Sequence, residues 1–183
     1  MSIGFNILPL PYKNIVGQGL AGSRMYGLET ESSDYDTLII TSGLGAPPVS
    51  SHINEAEDLT LMDVEFLSNL ISTKAPSNLV DVLRADTFTW NTNHPMYPYL
   101  MSTQYSQHEY TYRLMKWSVF STGRVGRDDP LGSRLKALRH ALRCCVKLVK
   151  AQRSIASEAR FTPAERAFVF ESSEELLKYP VDI

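Results

Sequence analysis

Two aspartates and a glycine-serine pair have the residue types and the spacing for chemistry on phosphates. Asp34 and Asp36 lie two residues apart, and Gly22-Ser23 precedes them by eleven residues. Residues two apart on a β-strand point to the same face, roughly 6.5–7 Å from each other. Two hard divalent cations about 3.5–4 Å apart fit between such carboxylates, and Mg²⁺ commonly shares oxygen ligands with substrate phosphates. A Gly-Ser turn that begins a helix would offer backbone N–H groups to an anion.

Two predicted strands position these residues. Residues 13–21 are small and apolar and end at Gly22-Ser23, which predicts a buried strand followed by a tight turn. Residues 29–34 are polar and predict a second turn, and residues 35–41 are β-branched and apolar, which predicts a strand that carries Asp36. A phosphate cradle that precedes a strand-borne carboxylate pair is the arrangement that metal-assisted phosphoryl or nucleotidyl transfer requires.

Further short elements follow the second strand. Residues 42–54 are rich in Gly, Pro and Ser, which predicts a mobile loop. Three elements are then predicted in order: a strand over 57–62, a helix over 63–72 capped by Asp63 or Thr60, and a short apolar element over 77–85.

The pattern becomes helical after residue 104. A helix is predicted over 105–122, with an apolar side formed by Tyr112, Met115, Val119 and Phe120. Thr162 and Pro163 have the types expected for the cap and the first residue of another helix.

The clearest predicted helix covers residues 131–153. Its predicted apolar stripe consists of Leu131, Leu135, Leu138, Leu142, Cys145, Val146 and Val149. Its basic stripe consists of Lys136, Arg139, His140, Arg143, Lys147 and Lys150. Strands first and helices later predict an α+β fold with a small mixed sheet and a helical C-terminal portion. The predicted domains are a core over 1–104 and a helical region over 105–183 packed on it.

Composition restricts the class of protein. The 183 residues are 43% hydrophobic and 21% charged, which excludes disorder, collagen and a coiled coil. No apolar run approaches the roughly 18 residues of a membrane span, and the first residues lack the features of a signal peptide. The two cysteines are the adjacent pair Cys144 and Cys145, which predicts neither a disulfide framework nor a zinc site. We therefore expect a protein of the reducing cytoplasm.

Charge is distributed unevenly along the chain. Residues 1–112 hold 4 Lys and Arg against 12 Asp and Glu, whereas residues 113–166 hold 13 against 4. One interpretation is a pair of oppositely charged faces that hold two parts of the chain together. The other is a cleft with metal-binding carboxylates on one wall and phosphate-binding cations on the other.

The run LAGSRMYGLETESSDYD at residues 20–36 resembles a known signature. It is similar to the DNA polymerase beta-like nucleotidyltransferase superfamily, in which an apolar strand ends in G-S and the next strand carries D-x-D. It is especially similar to the bacterial and phage "predicted nucleotidyltransferase" branch. Two later segments also resemble that branch: Asp58–Leu61 with the helix and Pro76–Leu79 after it, and the run KALRHALR at 136–143. The resemblance implies a nucleotidyltransferase core in the first domain.

The resemblance also implies roles for individual residues. Gly22 and Ser23 would hold the β- and γ-phosphates of a nucleoside triphosphate. Asp34 and Asp36 would bind two Mg²⁺ ions, for which Mn²⁺ is a possible substitute. Asp58 would be the third carboxylate, next to the attacking hydroxyl, with Glu55 and Glu57 as nearby alternatives. Asp81 stands where the branch often has Glu, and its role is left open.

Several residues have two interpretations. Arg24 either clamps a phosphate or is an ordinary surface arginine. Lys136, His140 and Arg143 either contact phosphates, of the triphosphate or of a tRNA-type acceptor, or belong to a solvated basic face. Trp90 and Trp117 are interpreted as core residues rather than as platforms for base stacking.

Two functions remain open at this stage. The first is an enzyme that moves a nucleoside monophosphate from a nucleoside triphosphate to an acceptor hydroxyl with release of pyrophosphate. The acceptor would be tRNA or another anionic macromolecule, a protein, or a small molecule. The second is a non-catalytic, antitoxin-like binding or inhibitory protein that retains the nucleotidyltransferase fold.

Overall fold

Five β-strands form one mixed sheet in a computed structural model that describes residues 14–44, 49–54, 57–123, 130–152 and 159–179. The strands are β1 (Ile15–Leu20), β2 (Tyr35–Thr41), β3 (Val49–Asn54), β4 (Glu57–Asp63) and β5 (Phe88–Trp90). Their order across the sheet is β3-β4-β2-β1-β5. β2 and β4 are parallel, and the other neighbouring pairs are antiparallel. The strands predicted over 13–21, 35–41 and 57–62 are confirmed.

The strand β3 corrects the prediction of a loop over 42–54. Val49–Asn54 pairs with β4 and lies at the edge of the sheet. An edge strand has one strand neighbour instead of two and tolerates polar residues, so its sequence carries a weaker strand signal than that of a central strand. Residues 45–48 of the predicted loop lie outside the described residues.

Side chains alternate between the two faces of β2 and β4. Leu38, Ile40 and Met62 belong to the main core, whereas Ile39, Leu59 and Leu61 form a small second cluster. Successive strand residues point to opposite faces. The even-numbered positions of both strands therefore face the main core.

The described part of the chain contains seven helices: α1 (Gly22–Met25), α2 (Val64–Lys74), α3 (Ser77–Val82), α4 (Met96–Met101), α5 (Gln107–Gly123), α6 (Leu131–Gln152) and α7 (Pro163–Leu176). Asp63 caps α2, as predicted, because its Oδ1 accepts a hydrogen bond of 2.9 Å from the backbone N–H of Glu65. Its Oδ2 accepts another from the N–H of Leu44 at 2.9 Å.

The last three helices form the helical C-terminal portion. α5 packs against α6, and α6 packs against α7. The predicted fold class, a small mixed sheet with helices followed by a helical portion, is confirmed. The division into domains at residues 104 and 105 stays a prediction. In the described part of the chain, none of the helices is both long and apolar enough to cross a membrane.

α5 packs with the opposite face from the predicted one. Tyr110, Leu114 and Ser121 are buried. The four residues of the predicted apolar side, Tyr112, Met115, Val119 and Phe120, are exposed, with Val119 at 73%. The apolar periodicity of α5 is weak on either side, so the contacts with α6 and α3 decide which face is buried.

α6 buries two lysines of the predicted basic stripe, which was expected on another face than the apolar stripe. Its buried residues, spaced by three, are Leu138, Ala141, Cys144, Lys147 and Lys150. The predicted apolar stripe is therefore wrong at three positions: Leu131 is 67% exposed, and Cys145 and Val149 are also exposed. Carboxylates on other elements pair with the two lysines, Asp81 with Lys147 and Glu165 with Lys150.

α7 begins with a capping box, which confirms Thr162 as cap and Pro163 as first residue. The Thr162 hydroxyl accepts from the N–H of Glu165 at 3.2 Å, and a Glu165 oxygen accepts from the N–H of Thr162 at 2.8 Å. Lys150 on α6 lies 3.2 Å from the same carboxylate. Burial acts to raise the pKa of Glu165, but the hydrogen bond from the Thr162 backbone and the contact with Lys150 outweigh it, so the pKa is lowered.

The lowered pKa of Glu165 predicts a pH dependence of stability. A carboxyl whose pKa is lower in the folded state stabilises the fold above its ordinary pKa, and this contribution is lost as the pH falls through the folded value. We expect Glu165→Gln to lower the free energy of unfolding by about 1 kcal/mol at pH 7. The difference should shrink as the pH falls below the ordinary pKa of glutamate and disappear once the carboxyl is protonated in the folded chain, as measured by urea unfolding. Glu171→Gln, an exposed change on the same helix, is the control, and a difference that persists in acid would contradict the assignment.

Candidate functional site

The Gly22-Ser23 turn connects β1 to the single helical turn α1. Gly22 has φ +58°, a left-handed conformation that favours glycine. An ideal Cβ at Gly22 would lie 1.8 Å from Oδ2 of Asp36. The backbone N–H of the preceding Ala21 donates to the carbonyl of Asp36 at 2.7 Å. Glycine therefore brings the main chain of the turn directly against the Asp36 carboxylate.

This close approach predicts a measurable difference between two glycines. Gly43 also has a positive φ, +79°, but a Cβ there would meet nothing within 4 Å. Gly43→Ala should lower the free energy of unfolding by about 1–2 kcal/mol through backbone strain alone. Gly22→Ala should lower it further, because the Asp36 carboxylate must also move. Urea unfolding of both variants measures the difference, and equal losses would exclude a close contact at Gly22.

Asp36 and Asp58 lie side by side on one face of the sheet. Asp36 pairs with Asp58 in the parallel register of β2 and β4, and paired residues of neighbouring strands point to the same face. Asp34 lies just before Tyr35, the first residue of β2, so the expectation that one strand carries both aspartates of the D-x-D is not met. Asp34 is exposed, and the other two are half-buried. Burial raises the pKa of Asp36, as do the charges of Asp58 and Asp34, while Lys136 and Arg24 act to lower it.

The three carboxylates have the chemistry of a magnesium or manganese site. Oxygen ligands suit these hard cations, and a cation would relieve the mutual repulsion of the negative charges. Among the described residues, however, no group of three or more His, Cys, Asp or Glu side chains is arranged to hold a metal ion. The alternative ligand Glu55 lies outside those residues. The roles of Asp34, Asp36 and Asp58 as metal ligands and as catalytic residues stay predictions.

Arg24 holds the polar turn that precedes β2. Its Nη2 donates to the carbonyl of Ser33 at 2.7 Å, and its Nε donates to the carbonyl of Asp34 at 3.1 Å. Its guanidinium carbon lies 3.6 Å from the centre of the Tyr35 ring. These contacts fix the backbone from which the Asp34 carboxylate projects. The phosphate-binding role expected for Arg24 stays a prediction.

A cavity of about 580 Å³ lies between the carboxylates and the helical portion. Its volume is within the roughly 300–1,000 Å³ typical of ligand pockets. One wall contains Gly22, Ser23, Asp34 and Asp36, and the lining continues through Ser77 and Asn78 at the start of α3. The wall on α6 contains Lys136, Arg139, His140 and Arg143. Asp58 and Arg24 lie outside the lining.

Cations of α6 therefore face the acidic wall. Lys136 is close enough to Asp36 to oppose the rise in the pKa of its carboxyl, although burial and the neighbouring negative charges still raise that pKa overall. Arg143 lies over the ring of Tyr26, with 4.4 Å from its guanidinium carbon to the ring centre. Nη2 of Arg143 is 3.2 Å from Nε2 of His140. The structure thus brings Lys136 and His140 to the same cavity as the Gly-Ser turn and two of the aspartates.

A buried polar cluster lies behind the cavity wall. The Lys147 ammonium is 3.1 Å from Oδ1 of Asp81, and their side chains are 2% and 1% exposed. The Tyr26 hydroxyl donates to Oδ2 of Asp81 at 2.9 Å, and the Tyr110 hydroxyl donates to Oδ1 at 3.1 Å. Burial, and after it the charge of Asp81, raises the pKa of both phenols. They therefore remain protonated donors to the carboxylate.

The local sequence patterns leave the role of Asp81 open and do not predict its pairing with Lys147. The two residues are far apart in sequence, so no local pattern connects them. One signal was available on α6, where the spacing of Leu138, Ala141 and Cys144 continues to Lys147. A lysine in register with buried residues indicates a buried ionic partner, because a charged group is rarely buried alone.

Trp117 corrects a second expectation. The ring is 44% exposed and lines the cavity, so it is not a core residue. The exposure of the Trp117 ring follows from the orientation of α5, whose buried face is opposite to the predicted one. This orientation turns several aromatic side chains of α5 away from the core. Trp90 is half-buried and packs against Phe88 and Tyr97, in agreement with its interpretation as a core residue.

Comparisons with known proteins add matches to solved structures. No model of a known protein family and no curated protein sequence matches the chain. A solved structure of a nucleotidyltransferase-like protein from Exiguobacterium sibiricum 255-15 matches with 16% identity and a TM-score of 0.38. The match covers 94% of this chain and 63% of that one, so this chain spans less than two thirds of that protein. Values this low do not by themselves assign an activity to the chain.

Proposed function

We propose that this chain is a metal-dependent nucleotidyltransferase that moves a nucleoside monophosphate from a nucleoside triphosphate to an acceptor hydroxyl. The observation that carries the proposal is the cavity, in which the Gly22-Ser23 turn and the aspartates of the D-x-D face a wall of cations on α6. The motif at residues 20–36, which resembles the DNA polymerase beta-like superfamily, supports the same assignment.

Some residues of the cavity would bind the phosphates, and others would hold the metal ions that stabilise charge in the reaction. The turn at Gly22-Ser23 offers N–H groups and a hydroxyl to the β- and γ-phosphates. Lys136 and Arg143 add positive charge from the opposite wall, where it complements a polyphosphate. Asp34, Asp36 and Asp58 would hold two Mg²⁺ ions. When bound, these ions would supply the positive charge that stabilises the attacking and leaving oxygens of an in-line displacement.

The reaction balances without a further reactant. The acceptor oxygen forms a bond to the α-phosphorus, the bond between the α-phosphorus and its bridging oxygen to the β-phosphate breaks, and pyrophosphate leaves. The proton of the acceptor hydroxyl is lost to solvent or to a neighbouring carboxylate. Because cations of α6 form one wall of the cavity, we favour an anionic acceptor such as tRNA or another nucleic acid.

A labelling experiment tests this function. Each α-³²P-labelled nucleoside triphosphate is incubated with the chain, Mg²⁺ or Mn²⁺, total cellular RNA and total cellular protein. We expect label in one acceptor class with the wild-type chain, and none after chelation of the metal or with Asp34→Asn/Asp36→Asn. Nucleotide binding without any transfer would instead favour the non-catalytic, antitoxin-like binding protein. Equal labelling by the double variant would overturn the assigned site.

A further inference from the structure

Trp117 is a large aromatic ring on the cavity wall that the core does not bury. Its ring packs edge-on against Phe120, with 5.4 Å between the centroids and an interplanar angle of 87°. It also lies 5.9 Å from the ring of His140. Tryptophan is mostly buried in folded proteins, so a half-exposed ring on a concave surface indicates a contact with a ligand.

Trp117 continues a row of side chains along the α6 wall. His140 is beside it, Arg143 is in contact with His140, and Arg143 covers the ring of Tyr26. Lys136 lies one helical turn before His140, and across the cavity its positive charge acts to lower the pKa of Asp36. Cations that attract phosphates therefore adjoin a flat, apolar surface. A ligand that matches both features carries a polyphosphate and a planar aromatic heterocycle.

From this row we infer that Trp117 stacks on the nucleobase of the bound nucleotide while the cations of α6 contact its phosphates. The inference rests on the proposed function and adds a residue that determines nucleotide affinity. Every base has a π-face, so stacking tolerates all four bases. Trp117 therefore distinguishes a nucleotide from a bare polyphosphate rather than one base from another.

Calorimetric titration with two ligands tests this contact. ATP and inorganic tripolyphosphate, each with Mg²⁺, are titrated into the wild-type chain, Trp117→Ala and Trp117→Phe. We expect Trp117→Ala to weaken ATP binding by about 5- to 150-fold and tripolyphosphate binding by less than about twofold. Trp117→Phe should keep most of the affinity for ATP, because phenylalanine also offers a ring face. Tyr99→Ala removes an aromatic residue of similar exposure, 47%, on α4 and should change neither affinity.

The two ligands separate failure of this inference from failure of the proposed function. If Trp117→Ala leaves ATP binding unchanged, or weakens both ligands equally, Trp117 does not contact a base although the cavity still binds phosphates. If the wild-type chain binds neither ligand, the proposed function is overturned and this inference with it.

Discussion

Asp36→Asn is expected to lower the rate of nucleotidyl transfer by about 10³-fold while the chain remains folded. Asparagine has the shape of aspartate, so the contact between residue 36 and Gly22 is retained. The substitution removes one of three neighbouring negative charges that would hold the metal ions. Without a ligand, the chain should therefore unfold at the same temperature as the wild type or at a higher one.

Activity and stability must be measured together on this variant. The labelling assay gives the rate, and thermal unfolding without metal gives the stability. Asp86→Asn is the matched control, because Asp86 is exposed and lies outside the cavity lining. A folded Asp36→Asn variant that transfers at the wild-type rate would exclude Asp36 from the chemistry. A variant that loses both activity and stability would indicate a structural role.

Lys147→Met is expected to lower the free energy of unfolding by about 3–5 kcal/mol. Methionine preserves the length and most of the volume of the side chain but leaves the Asp81 carboxylate buried without its counter-ion. Breaking one side of a buried ion pair is more destabilising than replacing both sides. Burial lowers the pKa of Lys147, and Asp81 opposes this shift, so the ion pair depends on the partner's charge.

Lys147→Met/Asp81→Asn should recover much of that loss. Asparagine is neutral. Its amide oxygen can still accept a hydrogen bond from one of the two tyrosine hydroxyls, and its amide NH2 can donate to the other. Urea unfolding at pH 7 measures each variant. Lys178→Met is the control. Lys178 lies just after the end of α7 and forms an exposed ion pair with Glu175, which should contribute less than about 1 kcal/mol to the free energy of unfolding. A loss under about 1 kcal/mol for Lys147→Met would show that the buried pair does not hold α6 against the core.

The local patterns in the sequence predicted the elements that carry the motif. The apolar, β-branched run at 35–41 is β2, and Asp63 caps the helix that it was expected to cap. These signals are local, because a run of strand-forming residues or a capping carboxylate acts on its immediate neighbours. The start of α7 is also a local signal, because Thr162 and Pro163 predict the cap and the first residue of that helix.

The packing of the helical portion could not be predicted in the same way. On α5, two faces contain apolar residues, and the contacts with α6 and α3 determine which one is buried. On α6, two lysines are buried because Asp81 and Glu165 lie opposite them, on distant parts of the chain. Trp117 was wrongly interpreted as a core residue for the same reason, since its exposure depends on how α5 is oriented.

The cavity is bounded by parts of the chain that are far apart in sequence, one wall from residues 22–36 and the other from α6. A ligand that touches both walls binds the folded chain and not the unfolded one. By mass action, such a ligand at 100 times its dissociation constant adds about 2.7 kcal/mol to the free energy of unfolding. The melting temperature of this protein is therefore a general reporter of occupancy, with which candidate acceptors can be ranked before any of them is shown to react.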